Sequence, residues 1–287
     1  MSFGVSTWAE PNGVRTTPFT PKLGSSTSST WAVPGRIDER LAIFRKAHGS
    51  DHDDVATALN NLAYILHRKG DLASAEPLFR EALAIYRRKL GEEHPDVATG
   101  AGNLGRVLQG KGDLAGAESL FRQALAVRRR ALGEDHSDVA YSMYDLAVVR
   151  LDAGDPEEAE RLLRDALAIQ DRRLPPRDSE RGRVLAALGR CLLETGRRGD
   201  AEPPLREGLS ILADKQPGHL LRFEAASLAG AALAGRGALA EAESLMVRGY
   251  EGLAGAPSAP PLRRAQARNR IVAIGPAAGP HTPGGSV

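Results

Sequence analysis

Three histidines, His52, His94 and His136, recur at an even spacing along the chain, and histidine is the commonest metal ligand and general base. Zinc would need their nitrogens about 2.0–2.1 Å from one ion. Equivalent helices of a stacked array lie about 8–10 Å apart, so three residues in phase cannot share an ion. They mark a turn between repeating units instead. Cys191 is the one cysteine. It can make no internal disulfide, no cysteine cluster exists for zinc, and no histidine at helical spacing near it would activate it as a nucleophile. It reads as a small buried apolar residue. Phosphate chemistry has no foothold either, since the chain lacks a G-x-x-x-x-G-K loop, an HRD or DFG triplet, and a Gly-rich loop followed by a paired Lys. Arg87-Arg88-Lys89, Arg128-Arg129-Arg130 and Arg172-Arg173 fit cations favoured at helix C-termini. A basic ridge for an acidic protein or RNA is the alternative. These residues compose no catalytic centre, no metal site and no cofactor site, and the chain is expected not to be an enzyme.

The elements that carry them repeat. HDDVATALNNLAYILHRKGDLASAEPLFREALAIYRRKLGEE begins at His52, HPDVATGAGNLGRVLQGKGDLAGAESLFRQALAVRRRALGED at His94, and HSDVAYSMYDLAVVRLDAGDPEEAERLLRDALAIQDRRLPPR at His136. A worn copy runs from Asp178, and another starts near Leu220, one residue out of phase. Leu59, Leu62, Ala63 and Leu66 form one helical stripe; Ala75, Leu78, Phe79, Ala82 and Tyr86 form a second. Gly70 suits a left-handed helix end, and Asp71 suits the cap of the next helix. Gly154, Asp155, Pro156 and Glu158 repeat that logic as a capping box. Ala63, Gly105, Ala147 and Gly189 are in phase, and small side chains there let paired helices approach. A lone hairpin cannot bury its stripe, so stacked neighbours must share the burial.

This pattern resembles the tetratricopeptide repeat. The 42-residue period, with LNNLA at 59–63, AEPLFREALAIYRRKLGEEHPDVA at 75–98 and AESLFRQALAVRRRALGEDHSDVA at 117–140, is similar to the kinesin light chain variety. RFEAASLAGAALAGRGALAEAESLMVRGYEGL at 222–253 looks more like bacterial repeat proteins that often follow a kinase domain. The resemblance covers roughly residues 39 to 274 and implies an all-α fold, a right-handed α-solenoid of about five antiparallel helical hairpins. Their spans are 52–93, 94–135, 136–177, 178–219 and 220–253. Residues 36–51 read as a half-repeat helix, with 39–51 aligning to Glu81–Glu93. Residues 261–275 read as a capping helix with Ile271, Val272 and Ile274 as apolar contacts. Pro203 and Pro204 inside a helix, and Pro175-Pro176 in a linker, predict a kink or loosened packing over 175–205.

In such a superhelix the first helices line the concave face. The polar positions there are Asn60, Asn61 and Tyr64, then Asn103 and Arg106, then Tyr141, Tyr144 and Asp145, then Arg183 and Arg190. The resemblance implies that Asn60, Asn61 and Asn103 hold a peptide, as matching Asn residues do in light chains; Asp145 and Ala187 depart from Asn in that phase. Asn can donate to and accept from a peptide backbone, Tyr offers apolar area with a polar tip, and Arg pairs with carboxylates. The expected function is a protein–protein interaction scaffold or adaptor that binds an extended peptide or partner protein on the concave face. The alternative is a regulatory module of a separately encoded enzyme such as a protein kinase. Self-association through the half repeat is a further expectation.

Bulk properties agree. The chain has 287 residues, with 38 basic and 36 acidic ones, for a formal charge of +2. That balance argues against a dedicated nucleic-acid binder. No apolar run is long enough to span a membrane, and the single thiol fits a reducing, cytoplasmic setting. Residues 1–35 hold twelve Ser or Thr, a composition shared with organellar transit peptides, but read better as a disordered tail. An echo, Ser6-Thr7-Trp8-Ala9 and Ser29-Thr30-Trp31-Ala32, lies within it. Residues 276–287 read as a second disordered tail.

Overall fold

A computed structural model describes residues 41–43, 45–46, 49–256, 259 and 261–274. The expectations for both tails, including Trp8 and Trp31, and for part of the 36–51 segment lie outside these residues. The described residues contain no strand. After a helical stretch at 41–43 and 45–46 come α1 (Asp53–Arg68), α2 (Leu72–Leu90), α3 (Pro95–Lys111), α4 (Leu114–Leu132), α5 (Ser137–Asp152) and α6 (Pro156–Arg173). They continue with α7 (Ser179–Glu194), α8 (Arg198–Lys215), α9 (Leu220–Ala234), α10 (Leu239–Ala254) and α11 (Pro261–Ile274).

The in-phase histidines start the odd-numbered helices. Nδ1 of His52, His94 and His136 accepts the backbone N–H of Asp54, Asp96 and Asp138 at 3.2, 3.1 and 3.1 Å. Asp178 does the same for Glu180 at 2.8 Å, and His219 for Leu221 at 3.2 Å. Each satisfies one of the N–H groups that a helix start leaves unpaired. The even helices use Asp71, Asp113 and Asp155, which accept from Ser74, Gly116 and Glu158. Arg197 and Ala238 hold that phase in the two worn repeats, and α8 and α10 have no side-chain cap bond.

Packing follows the stripes. Phe79 and Phe121 are buried between paired helices. A Cβ placed on Gly105 would lie 2.7 Å from a ring carbon of Phe121, so only glycine admits α4 this close to α3. One continuous core runs from Leu41 to Ala232, and a smaller cluster of Leu253, Ala259 and Ala267 seals α10 against α11. Each helix packs on the next, and each odd helix also approaches the next odd one; no two even helices come as near among the described residues. The stack is therefore curved, with the odd helices on its inner side.

The Arg clusters have specific partners besides the helix dipole. Arg88 and Lys89 pair with Asp51, Arg130 with Glu93, and Arg172 and Arg173 with Asp135. Each acid directly precedes a capping histidine, so the end of a second helix is tied to the start of its first. These pairs are exposed to water, which screens them, so they add little to stability.

The proline-rich stretch behaves differently from expectation. Pro175 begins a turn in which Asp178 N–H donates to the Pro175 carbonyl at 3.0 Å. α8 then runs unbroken through Pro203 and Pro204. The carbonyls these prolines leave without a donor belong to Gly199 and Asp200, which are exposed, and water can serve them there. Fully buried Leu205, Ile211 and Leu212 hold the rest of the helix to the core.

Candidate functional site

The inner row joins four of the ten polar residues singled out above, Asn60, Asn103, Arg106 and Asp145, into one chain of bonds. Asn103 Nδ2 donates to Asn60 Oδ1 at 3.0 Å, linking α3 to α1. Arg106 donates through Nη1 to Asn103 Oδ1 at 2.9 Å. Its Nε and Nη2 grip Asp145 Oδ1 and Oδ2 at 3.2 and 2.6 Å, linking α3 to α5. The two-pronged pair is the strong geometry for guanidinium and carboxylate. Burial opposes the Arg106 charge, but Asp145, Tyr141 and Glu180 together outweigh it and hold the guanidinium above the ordinary arginine value. The Arg106 guanidinium also lies 4.8 Å from the centre of the Tyr141 ring, with Arg128 at 5.9 Å from the same ring.

Asn60, Asn103 and Asp145 are buried by this network, while Asn61, Tyr64, Tyr141, Tyr144 and Arg183 are half-buried. Asn60 Nδ2, Asn61 Oδ1 and Arg183 Nε have no hydrogen-bond partner among the described residues. Arg183 is tied only loosely to Glu180, at 3.4 Å. Burial raises the Glu180 carboxyl, and Arg183 works against that rise. Arg190 is buried and committed: it pairs with Asp152 at 2.8 Å and Glu194 at 2.7 Å. Tyr144 and Arg190 border a small cavity with Arg183, Glu224 and Arg263. Burial pushes the Tyr144 phenol well above its usual range.

Two histidines show how enclosed the groove is. His67 is lowered to about 4 by burial, then by Arg106 and Arg68. His219 is lowered to about 4 by burial, then by Arg183 and again Arg68.

Sequence reading does not assign two members to the site: Arg263, and Arg128, which it gives only as a cation at a helix C-terminus. Arg263, on α11, reaches Asp152 on α5 at 3.2 Å across 111 residues of chain, and also pairs with Glu224. Nothing local marks that contact. Arg128 could have been found: it holds the phase of buried Tyr86, so a charge there must be met inside, and it donates to Ser142 Oγ at 2.6 Å. Cys191 is buried, its Sγ 3.0 Å from the Pro156 carbonyl, and burial pushes the thiol up to about 11. That fits a packing residue. No helix among the described residues is long and apolar enough to cross a membrane.

The capped hairpins and the curved inner row define a helical-repeat protein. The tetratricopeptide repeat pattern matches residues 38–88, 54–130, 96–172 and 144–219, and the chain belongs to that family. Three solved structures share the fold. One from Podosopora anserina, described as of kinesin light chain type with nearly identical TPR-like repeats, is 24% identical, with a TM-score of 0.55 over 71% of this chain and 97% of its own. BtubC (BKLC) from P. vanneervenii is 18% identical, with a TM-score of 0.59 over 88% of this chain and 94% of its own. NprR, in complex with its cognate peptide NprX, is 12% identical, with a TM-score of 0.62 over 84% of this chain and 67% of its own. No curated protein sequence matches the chain.

Proposed function

We propose that the chain is a non-catalytic interaction scaffold whose inner groove receives an extended segment of a partner protein. The observation that carries this is the set of unpartnered polar atoms on the inner row, Asn60 Nδ2, Asn61 Oδ1 and Arg183 Nε. Buried polar groups are normally paired, and a peptide backbone offers a carbonyl and an N–H at every step. Arg183 adds a guanidinium whose hold on Glu180 is weak enough to be exchanged for a ligand carboxylate. The segment is therefore of mixed polarity, with an acidic side chain near α7. NprR, with the same fold, holds a peptide, which supports the class of ligand and not its sequence. A cytoplasmic setting accords with this reading and with the lone, inert thiol.

The network dictates which residues test the reading. Arg106→Ala would strand buried Asp145, and Asn60→Ala would strand Asn103, so loss of binding there could reflect damage to the fold. Asn61, Tyr64 and Arg183 are half-buried and free of that difficulty. The triple variant Asn61/Tyr64/Arg183→Ala is expected to keep its helical circular dichroism and to lose the partner that wild type retains in affinity capture from native lysate. Equal recovery by both proteins would move the binding surface to the outer helices.

A further inference from the structure

A second cavity lies beyond the groove, where α7 and α9 end, α10 begins and α11 forms the far wall. Its volume is about 510 Å³, within the size range of ligand pockets and roomy for roughly a dozen or more non-hydrogen atoms. Leu228, Leu239 and Met246 give it an apolar side. Leu239 is 44% exposed there, although it opens a helix whose other stripe residues are packed.

The polar side carries unbalanced charge. Three guanidiniums, Arg190, Arg198 and Arg270, and one carboxylate, Glu194, face the cavity. Glu194 is already taken by Arg190, which also holds Asp152. That leaves two cations. The Arg198 side chain has no hydrogen bond and no carboxylate within ion-pair reach among the described residues. Arg270 is half-buried, and its one bond, Nη1 to Ser227 Oγ at 3.2 Å, goes to a neutral acceptor. Burial pulls this guanidinium below its ordinary value, against the attraction of Glu224. A partly buried cation without an ion-pair partner is a costly arrangement, and an incoming anion would relieve it.

We propose that this pocket binds an amphipathic carboxylate, with its aliphatic part on Leu228, Leu239 and Met246 and its charge shared by Arg198 and Arg270. The carboxylate can belong to an acidic peptide or to a free alkyl acid. Both carry the chemistry that the pocket complements, an apolar body joined to a planar anion that guanidinium meets in bidentate fashion.

Methionine methyl resonances report on the site directly. The chain has three methionines; Met246 and Met143 are both buried, but Met246 lines the cavity while Met143 lies in the core near the middle of the stack. In full-length protein with ¹³C-methyl methionine, decanoate, decanol and N-acetyl-leucyl-leucyl-aspartate would each be titrated to about 1 mM, a weak-binding limit. Saturable movement of the Met246 signal by decanoate or the tripeptide, with Met143 still, is expected, and the tighter of the two identifies the source of the carboxylate. Arg270→Gln and Arg198→Gln are each expected to weaken that binding about tenfold, the scale of one charge-assisted hydrogen bond. Arg198 is exposed, so its variant decides the matter if Arg270→Gln does not fold. Decanol binding as tightly as decanoate, no saturable shift from either carboxylate, or binding indifferent to Arg198→Gln would each overturn the proposal. The readout is independent of whether a partner enters the main groove.

Discussion

His219 shows two demands meeting on one side chain. As the cap of α9 it must keep Nδ1 unprotonated to accept the Leu221 N–H, and burial with Arg183 and Arg68 lowers it to about 4. A base whose folded value lies below its unfolded one, 6.5 here, binds fewer protons when folded. Its contribution to stability is present above that unfolded value and is lost as pH falls toward about 4. His67 acts in the same sense, while Glu180, raised by burial, opposes both. His219→Asn keeps a capping oxygen and removes the titration. The variant is expected to lose less melting temperature than wild type between about pH 7 and pH 4; identical profiles would dismiss His219 as a contributor. Phe121 sits at the same scale. It fills the space that Gly105 leaves, and Phe121→Ala is expected to cost about 3–5 kcal/mol, read from chemical denaturation. An unchanged midpoint would refute the packing assigned to it.

Among the elements, wear is visible as missing caps. α2, α4 and α6 begin on Asp, whereas α10 begins on Ala238, whose backbone has nearly the angles of Asp71 (φ −78, ψ 58 against φ −81, ψ 75). Ala238→Asp should therefore stabilise the protein by about 1 kcal/mol, seen as a higher melting temperature. A neutral or lower value would mean that the local backbone cannot present the side chain. α11 differs in kind. Ile271 stands in the phase where Gly105, Gly189 and Gly230 admit a second helix, and each of those glycines is in tight contact with its partner helix. A branched side chain there does not admit a partner helix as closely as those glycines do.

The whole molecule is a stack in which each helix leans mainly on its neighbours, so damage should stay local. Ending the chain at Ala256 would uncover Leu253 and remove the Arg263 bonds to Asp152 and Glu224. Amide exchange is expected to quicken in α9 and α10, with α1 and α2 nearly unchanged. Uniform quickening along the chain would instead mark a single cooperative unit. The long tie from Arg263 to Asp152 makes α5 the place to look for intermediate behaviour.

How far the sequence alone reached follows from the range of the forces involved. Helix stripes, glycine ends and Asp caps are settled within a few residues of chain, so Leu59, Gly70, Asp71 and Phe79 could be placed from spacing, and the period carried the family with them. The helical period also put Asn60, Asn103, Arg106 and Asp145 on the inner row. It could not say that they would bond to one another, since that depends on how near α1, α3 and α5 come. Nor could it foresee that α8 would run through two prolines, because packing of Leu205, Ile211 and Leu212 outweighs two lost bonds at an exposed turn. Curvature is the sum of many small differences in side-chain size along both faces, and only that sum brings Arg263 to Asp152, and Arg198 and Arg270 to one pocket. Sequence fixes which face a residue occupies; the tertiary structure decides what it meets there.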